Sequence, residues 1–218
     1  MFSKKICVIG LGYIGLPTAA LLAHRGYDVH GVDVEQSTVN IINRGEIHIV
    51  EPELDIFVKA AVNSGKLKAG LNPCEADVFI IAVPTPFHEG FVPNIDYVLS
   101  ATKAIVPFVK ENDVVILEST SPVGTTDKVE GVLIAEGIDT SKLYIAHCPE
   151  RVLPGQIMRE LVENDRIVGG TTPEATVQAV EFYKTFISGE VLSTDARTAE
   201  MAKLTENSFR DTNIAFAN

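Results

Sequence analysis

The chain has 218 residues, 46% of them hydrophobic, and a formal charge of −11 at pH 7. That length buries a sizeable core and suits one large domain, or one domain plus the start of another. The acidic balance excludes nucleic acid and anionic membranes as partners, because both need a positive field, but it leaves room for an anionic small ligand held by a few local donors.

In chain order, the apolar run 6–9 predicts a first strand. It feeds the turn Gly10-Leu11-Gly12-Tyr13-Ile14-Gly15, and a helix follows over 16–25. A second apolar run, 29–32, ends in Asp33, 18 residues past Gly15. Helices are expected over 36–43 and 52–63, and a strand buried on both faces over 77–83. Residues 95–109 have helical spacing, and 113–117 read as a further strand. Residues 122–136 read as a helix with Pro122 in its first turn. The run 143–146 would be the sixth strand of a doubly wound sheet. A second set comprises a strand over 166–168, a helix over 173–186 and a strand over 190–192. Residues 196–218 read as a helix with no closing glycine or proline, so the chain is expected to be part of a longer protein. The fold class implied is α/β: a Rossmann-type, doubly wound, mostly parallel sheet with helices on both faces, ending in the start of a long linker helix. The expected division is residues 1–195 as a dinucleotide-binding domain and 196–218 as the beginning of that linker.

Strand, G-x-G-x-x-G turn, helix, strand and acid in this order form a specific signal for a dinucleotide. Gly10 makes the tight turn, Gly12 lets backbone N–H groups approach a pyrophosphate, and Gly15 lets the helix pack closely on the strand. The positive end of the helix attracts phosphate. The Asp33 carboxylate suits the adenosine ribose hydroxyls and repels a 2′-phosphate, which favours NAD over NADP.

Ligands of such sheets bind beyond the carboxyl ends of the strands, so the loops there are the candidate site. Four features are expected on that edge. They are the turn Val83-Pro84-Thr85-Pro86, the hydroxyl-rich segment from Glu118 through Ser119, Thr120 and Ser121 to Thr126, the loop Cys148-Pro149-Glu150-Arg151-Val152-Leu153-Pro154-Gly155, and a terminal-helix face carrying Lys203, Asn207 and Arg210 at i, i+4 and i+7. Taken singly, each has a plain structural alternative: a stiff turn, a helix cap, a surface ion pair between Glu150 and Arg151, or a solvated helix face. The five histidines show no ligand spacing and no metal is expected. Cys7, Cys74 and Cys148 fit neither a metal site nor a disulfide framework. With no long apolar span and no signal peptide, the cytoplasm is the expected compartment.

The segments 10–15, 83–86, 118–126, 149–155 and Lys203-Leu204-Thr205-Glu206-Asn207 follow one another as in the nucleotide-sugar 6-dehydrogenases, the family of UDP-glucose dehydrogenase, which the whole chain resembles. Residues 43–52 and 150–155 are similar to the branch that acts on UDP-N-acetyl-D-mannosamine, since Arg151-Val152 stands where the UDP-glucose enzymes usually carry Phe-Leu. The resemblance implies a four-electron oxidation of a UDP-N-acetylhexosamine at its 6-hydroxyl, consuming two NAD and one water, in a homodimeric enzyme of surface-polysaccharide synthesis. It also implies residue roles. Tyr13 and Ile14 lie at the pyrophosphate turn, Asp33 binds the ribose, and Thr85 and Thr126 contact the cofactor. Thr120 and Glu150 orient the catalytic water. Arg151, Val152, Asn207 and Arg210 hold the nucleotide-sugar, and Lys203 exchanges a proton and faces the developing oxyanion. The family's nucleophilic cysteine lies in a Gly-Gly-His-Cys motif beyond residue 218, as does the domain that grips the uridine diphosphate, so the 218 residues alone are expected to bind NAD without completing turnover. Cys148 is not expected to take the nucleophile's place. Two alternatives stay open: a sister enzyme acting on UDP-glucose or another UDP-N-acetylhexosamine, and a non-catalytic NAD-binding module. Dehydrogenases of the 3-hydroxyacid or 6-phosphogluconate type share the glycine turn and a Lys-x-x-x-Asn helix but lack the 118–126 and 150–155 segments.

Overall fold

The computed structural model describes residues 5–218; the first four residues of the expected cofactor domain lie outside the described residues. In chain order the elements are β1 (Lys5–Ile9), α1 (Gly15–His24), β2 (Asp28–Val32), α2 (Gln36–Asn43), α3 (Leu54–Asn63), β3 (Leu67–Gly70), β4 (Val78–Ile81), α4 (Asp96–Ile105), β5 (Val114–Leu117), α5 (Thr125–Ala135), β6 (Tyr144–His147), α6 (Ile157–Glu163), β7 (Arg166–Gly170), α7 (Pro173–Tyr183), β8 (Val191–Asp195) and α8 (Ala196–Ala217). They form a single eight-stranded sheet in the order β3-β2-β1-β4-β5-β6-β7-β8. All neighbours are parallel except β6 and β7.

The central strands are apolar at every position because both faces are covered. In β4 (Val-Phe-Ile-Ile) and β5 (Val-Val-Ile-Leu) every residue is buried. Ile6, Val8, Ile80 and Ile116 face a core built from α1, α3, α6 and α7. Cys7, Ile9, Phe79, Ile81, Val115 and Leu117 face the opposite core against α4 and α5. Strand order reverses at β1, between β2 and β4, which opens a crevice at the carboxyl edge where the glycine turn sits.

Four local expectations differ from the structure. The edge strand β3 reads Leu-Lys-Ala-Gly, too short and too polar to stand out as an apolar run. The seven-residue α6 lacks a side-chain N-cap, so nothing marks its start. The helix expected over 95–109 stops at Ile105 and tightens into a 3₁₀ turn at Val106–Phe108, where Pro107 has no N–H to continue the ladder. Pro122 is not in the first turn of α5. That helix begins at Thr125, after Gly124 turns the chain through a left-handed φ of 89°, and Pro122 contributes only its carbonyl, accepting from Thr125 N.

The antiparallel β7 has a direct consequence for the site. Its register pairs Ala146 with Gly170 and His147 with Gly169. Continued by three residues, that register carries Arg166, the first residue of β7, to the carboxyl edge opposite Glu150. A parallel strand would have left Arg166 at the far end of the sheet.

Candidate active site

The glycine turn has the geometry of a phosphate cradle. Gly10 has φ +92°, and a Cβ there would lie 2.6 Å from Ala82 O. A Cβ on Gly15 would lie 1.8 Å from Gly10 O, so both positions require glycine for packing. Gly12 differs, since a Cβ there would meet nothing within 4 Å. Its glycine is therefore not demanded by the protein, and the open space lies over the N-terminus of α1. Among the described residues, the N–H groups of Gly12, Tyr13 and Ile14 have no partner. Bare donors at a helix N-terminus suit an anion. Asp33 is held by two backbone donors, Leu11 N at 3.1 Å and Glu35 N at 2.9 Å, which fixes its carboxylate at the tip of β2. These residues fit a dinucleotide.

Beside the turn lies a cleft of about 300 Å³. It is lined by Ile14, the 82–85 turn, Glu118, Ser119, Thr120, Glu150, Val152, Lys203, Asn207 and Arg210. Segments from β4, β5, β6 and α8 thus converge on one space beside the dinucleotide turn. Thr85 Oγ1 donates to Thr120 O at 2.6 Å, and Ser119 Oγ donates to Val83 O at 2.7 Å, so the loops after β4 and β5 are pinned together.

Two carboxyls and one guanidinium form the floor. Glu150 is buried and paired with buried Arg166, whose Nη1 donates to Glu150 Oε2. The other Glu150 oxygen accepts from Arg151 N at 2.7 Å. Glu150 therefore makes no surface ion pair with the Arg151 side chain. Among the described residues, Glu118 is held only by Thr18 Oγ1 and Tyr183 Oη, each at 3.4 Å. Burial, reinforced by the Glu150 charge and opposed by Arg166, pushes the Glu118 carboxyl up to about 8.

Helix α8 supplies the opposite wall. The Lys203 side chain is only 12% exposed, with Glu206 Oε2 at 3.7 Å. Burial lowers its ammonium below the usual lysine range, against the opposing pull of Glu206 and Glu150. The Arg151 guanidinium is held by Glu206 through Nε at 2.9 Å and Nη2 at 2.7 Å. The same side of α8 carries an apolar groove that includes Phe209, Ile214 and Ala217.

Arg151, which lines the neighbouring groove of α8, and Asp33, Thr126 and Tyr13 are not among the residues that line the cleft. Thr126 is fully buried, and its hydroxyl donates to Glu200 Oε1 at 2.6 Å. Tyr13 is exposed and reaches Glu51 and the Val50 carbonyl, each at 3.4 Å. Cys148 is fully buried, and burial pushes its thiol up to about 12, so it is a poor nucleophile. Arg166, Tyr183, Glu200 and Glu51 were not anticipated from sequence. The one signal for Arg166 is a charged residue opening an otherwise apolar strand. Glu118 had its signal too, as an acid directly at the carboxyl end of the all-apolar β5.

A model of the UDP-glucose/GDP-mannose dehydrogenase family, NAD binding domain, matches residues 4–187. A UDP-N-acetyl-D-mannosamine dehydrogenase of Campylobacter jejuni is 59% identical over 225 residues, covering 99% of this chain and 55% of that protein. An NDP-N-acetyl-D-galactosaminuronic acid dehydrogenase of Ralstonia nicotianae is 54% identical, covering 99% and 53%. The solved UDP-N-acetyl-mannosamine dehydrogenase of Staphylococcus aureus superposes with a TM-score of 0.92 at 46% identity, over 98% of this chain and 53% of that one. The chain thus spans about half the length of the relatives it matches.

Proposed function

The chain belongs to the UDP-glucose/GDP-mannose dehydrogenase family and carries its NAD binding domain, and on that premise we propose that it is the cofactor-binding part of an enzyme that oxidises UDP-N-acetyl-D-mannosamine to UDP-N-acetyl-D-mannosaminuronate. The observation that carries this reading is the convergence of Lys203, Asn207, Glu150 and Thr120 on one cleft beside the dinucleotide turn. When bound, NAD supplies the acceptor for the hydride leaving the sugar's 6-carbon.

The protein's own groups do the rest. Gly12, Tyr13 and Ile14 offer backbone donors to the pyrophosphate, and Gly10 and Gly15 set the turn. Asp33 would take the ribose, and Thr85, in the cleft wall, would contact the cofactor. Thr126 contributes indirectly, by fixing α8 through Glu200. Lys203, partly desolvated, gives up its proton more readily than a solvated lysine and can accept the hydroxyl proton. As an ammonium it stabilises a developing alkoxide, an interaction strengthened where water is scarce. Asn207, one turn on, is a second donor. Glu150 and Thr120 orient the water consumed in the second oxidation. Arg151, Val152 and Arg210 hold the nucleotide-sugar, which requires its anionic groups to compete with Glu206 for Arg151.

On this reading residues 1–195 are the cofactor domain and 196–218 begin a linker helix. The 218 residues bind NAD without completing turnover, because their thiol nearest the cleft, Cys148, is buried and protonated. The exposed Phe209, Ile214 and Phe216 of α8 support a homodimer in the full-length protein. A cytoplasmic location follows from the soluble substrates, and no described helix is long and apolar enough to cross a membrane.

A second reading, an enzyme for a galactosamine-configured nucleotide-sugar, is favoured by the 54% identity to the Ralstonia protein. Assaying the full-length gene product containing this sequence with NAD and a panel of nucleotide-sugars separates the two. UDP-N-acetyl-D-mannosamine should give the highest kcat/KM. A higher value with UDP-N-acetyl-D-galactosamine or UDP-glucose would overturn the substrate assignment.

A further inference from the structure

The charges under the cleft do not balance. Glu118 and Glu150 are 3% and 5% exposed, and Arg166, whose guanidinium pairs with Glu150 and acts electrostatically on Glu118, is fully buried. Arg166 gives Nη1 to Glu150 and Nη2 to Leu161 O at 3.1 Å, and its Nε has no partner among the described residues. Of the two carboxyls, only Glu150 therefore receives a guanidinium donor, while Glu118 has two long contacts from neutral hydroxyls. The groups facing Glu118 come from several elements: Thr18 of α1, Tyr183 of α7, Cys148 and Glu150 of the loop after β6, and Arg166 of β7. Lys203 of α8 lies across the cleft. Burial keeps Tyr183 and Cys148 neutral. One guanidinium cannot neutralise two buried carboxylates, and an unpaired interior charge is costly.

We propose that Glu118 is the proton-holding partner of Glu150: the two carboxyls, sharing Arg166, keep one proton between them, and Glu150 exchanges protons with the cleft while the floor stays electrically neutral. In one arrangement Glu118 is the acid and Glu150 the carboxylate on Arg166. When Glu150 takes a proton from the cleft, Glu118 releases its own to solvent through the cleft wall it lines. The sum of two carboxyls, one proton and one guanidinium is zero before and after. Glu118 acts through Glu150 and is a positioning residue. Its use in turnover rests on the function proposed above, whereas the shared proton does not.

The test has two readouts. In the 218-residue chain labelled with ¹³C at the glutamate carboxyls, an NMR titration should show one signal with a midpoint near 8, absent in Glu118→Gln. In the full-length gene product, the pH profile of kcat should show an ionisation in the same range that Glu118→Gln removes and Glu118→Asp restores, with KM for NAD unchanged. A merely structural role would lower the rate without reshaping its pH profile. All glutamate signals titrating below pH 6, or an unchanged profile in Glu118→Gln, would overturn the proposal. The NMR titration needs no turnover, so it tests the shared proton whether or not the proposed reaction is right.

Discussion

Glu200 of α8 accepts two hydrogen bonds from Thr126 of α5, one from its backbone N–H at 2.8 Å and one from its hydroxyl at 2.6 Å, across 74 residues of sequence. The same carboxylate accepts from Gly124 N at 2.5 Å, so it sits at the positive end of α5 with three donors around it. Lys203, Asn207 and Arg210 follow Glu200 by three, seven and ten residues and lie on one helical face. Glu200 therefore sets the rotation of α8 that brings this face to the cleft.

Glu200→Ala should destabilise the chain by about 2–4 kcal/mol, because a buried carboxylate is lost and its donors are left without partners. Urea unfolding measures the loss, and hydrogen exchange along α8 should rise first. An unchanged urea midpoint with unchanged exchange would mean that α8 is held by its apolar contacts alone.

Gly12→Ala and Gly15→Ala should part company. The methyl at Gly12 has no protein neighbour within 4 Å, so that variant should fold like the parent and lose affinity for NAD. The methyl at Gly15 would lie 1.8 Å from a backbone oxygen, so that variant should lose stability outright. Thermal melts and NAD titrations on both variants check this. Undiminished NAD affinity in Gly12→Ala would move the pyrophosphate away from the turn.

Lys203→Met, which keeps the stem and removes the charge, should lower kcat of the full-length gene product by about 10²–10³-fold, as loss of an oxyanion partner does. NAD affinity of the 218-residue chain should be essentially unchanged, since the proposed function assigns Lys203 to the sugar rather than to the cofactor. A drop in NAD affinity with kcat intact would reassign Lys203 to the cofactor.

His147 is fully buried on β6 with neither ring nitrogen hydrogen-bonded among the described residues. Burial pushes its pKa down to about 3 from 6.5, against a smaller opposing effect of the Leu117 backbone. The folded pKa lies below the unfolded one, so the unfolded chain binds the extra proton. The stability from a neutral His147 is therefore complete above pH 6.5 and is lost as pH falls toward 3, at about 1.4 kcal/mol per unit. Comparing urea midpoints of the parent and His147→Leu between pH 7 and pH 4 checks this. The parent should lose more stability on the way down, and parallel curves would show that His147 stays out of the acid transition.

Most of the architecture was legible because the central strands announce themselves. The runs at β1, β4 and β5 are apolar throughout, and the spacing from Gly10 to Asp33 has few other uses. The elements that escaped, β3 and α6, are short and carry no strong period or cap. The cleft was legible residue by residue where Thr120, Glu150, Lys203 and Asn207 stand in recognisable segments. The Arg166 partner of Glu150 was not, because it reaches Glu150 only through the reversed direction of β7, a long-range pairing that no local pattern encodes. The partner of Thr126 was hidden for a related reason. A hydroxyl in a helix's first turn looks available for a ligand until a carboxylate 74 residues away is seen to occupy it.

The most direct measurement supplies the full-length gene product containing this sequence with limiting UDP-N-acetyl-D-mannosamine and excess NAD, and counts the NADH formed per sugar consumed. Two NADH per sugar are expected of a cleft in which Lys203 takes the hydroxyl proton and Glu150 and Thr120 orient the water of the second oxidation. A single NADH per sugar would reduce the enzyme to a simple alcohol dehydrogenase with no role for an oriented water. No NADH would leave the domain a cofactor-binding module or an enzyme for a different sugar.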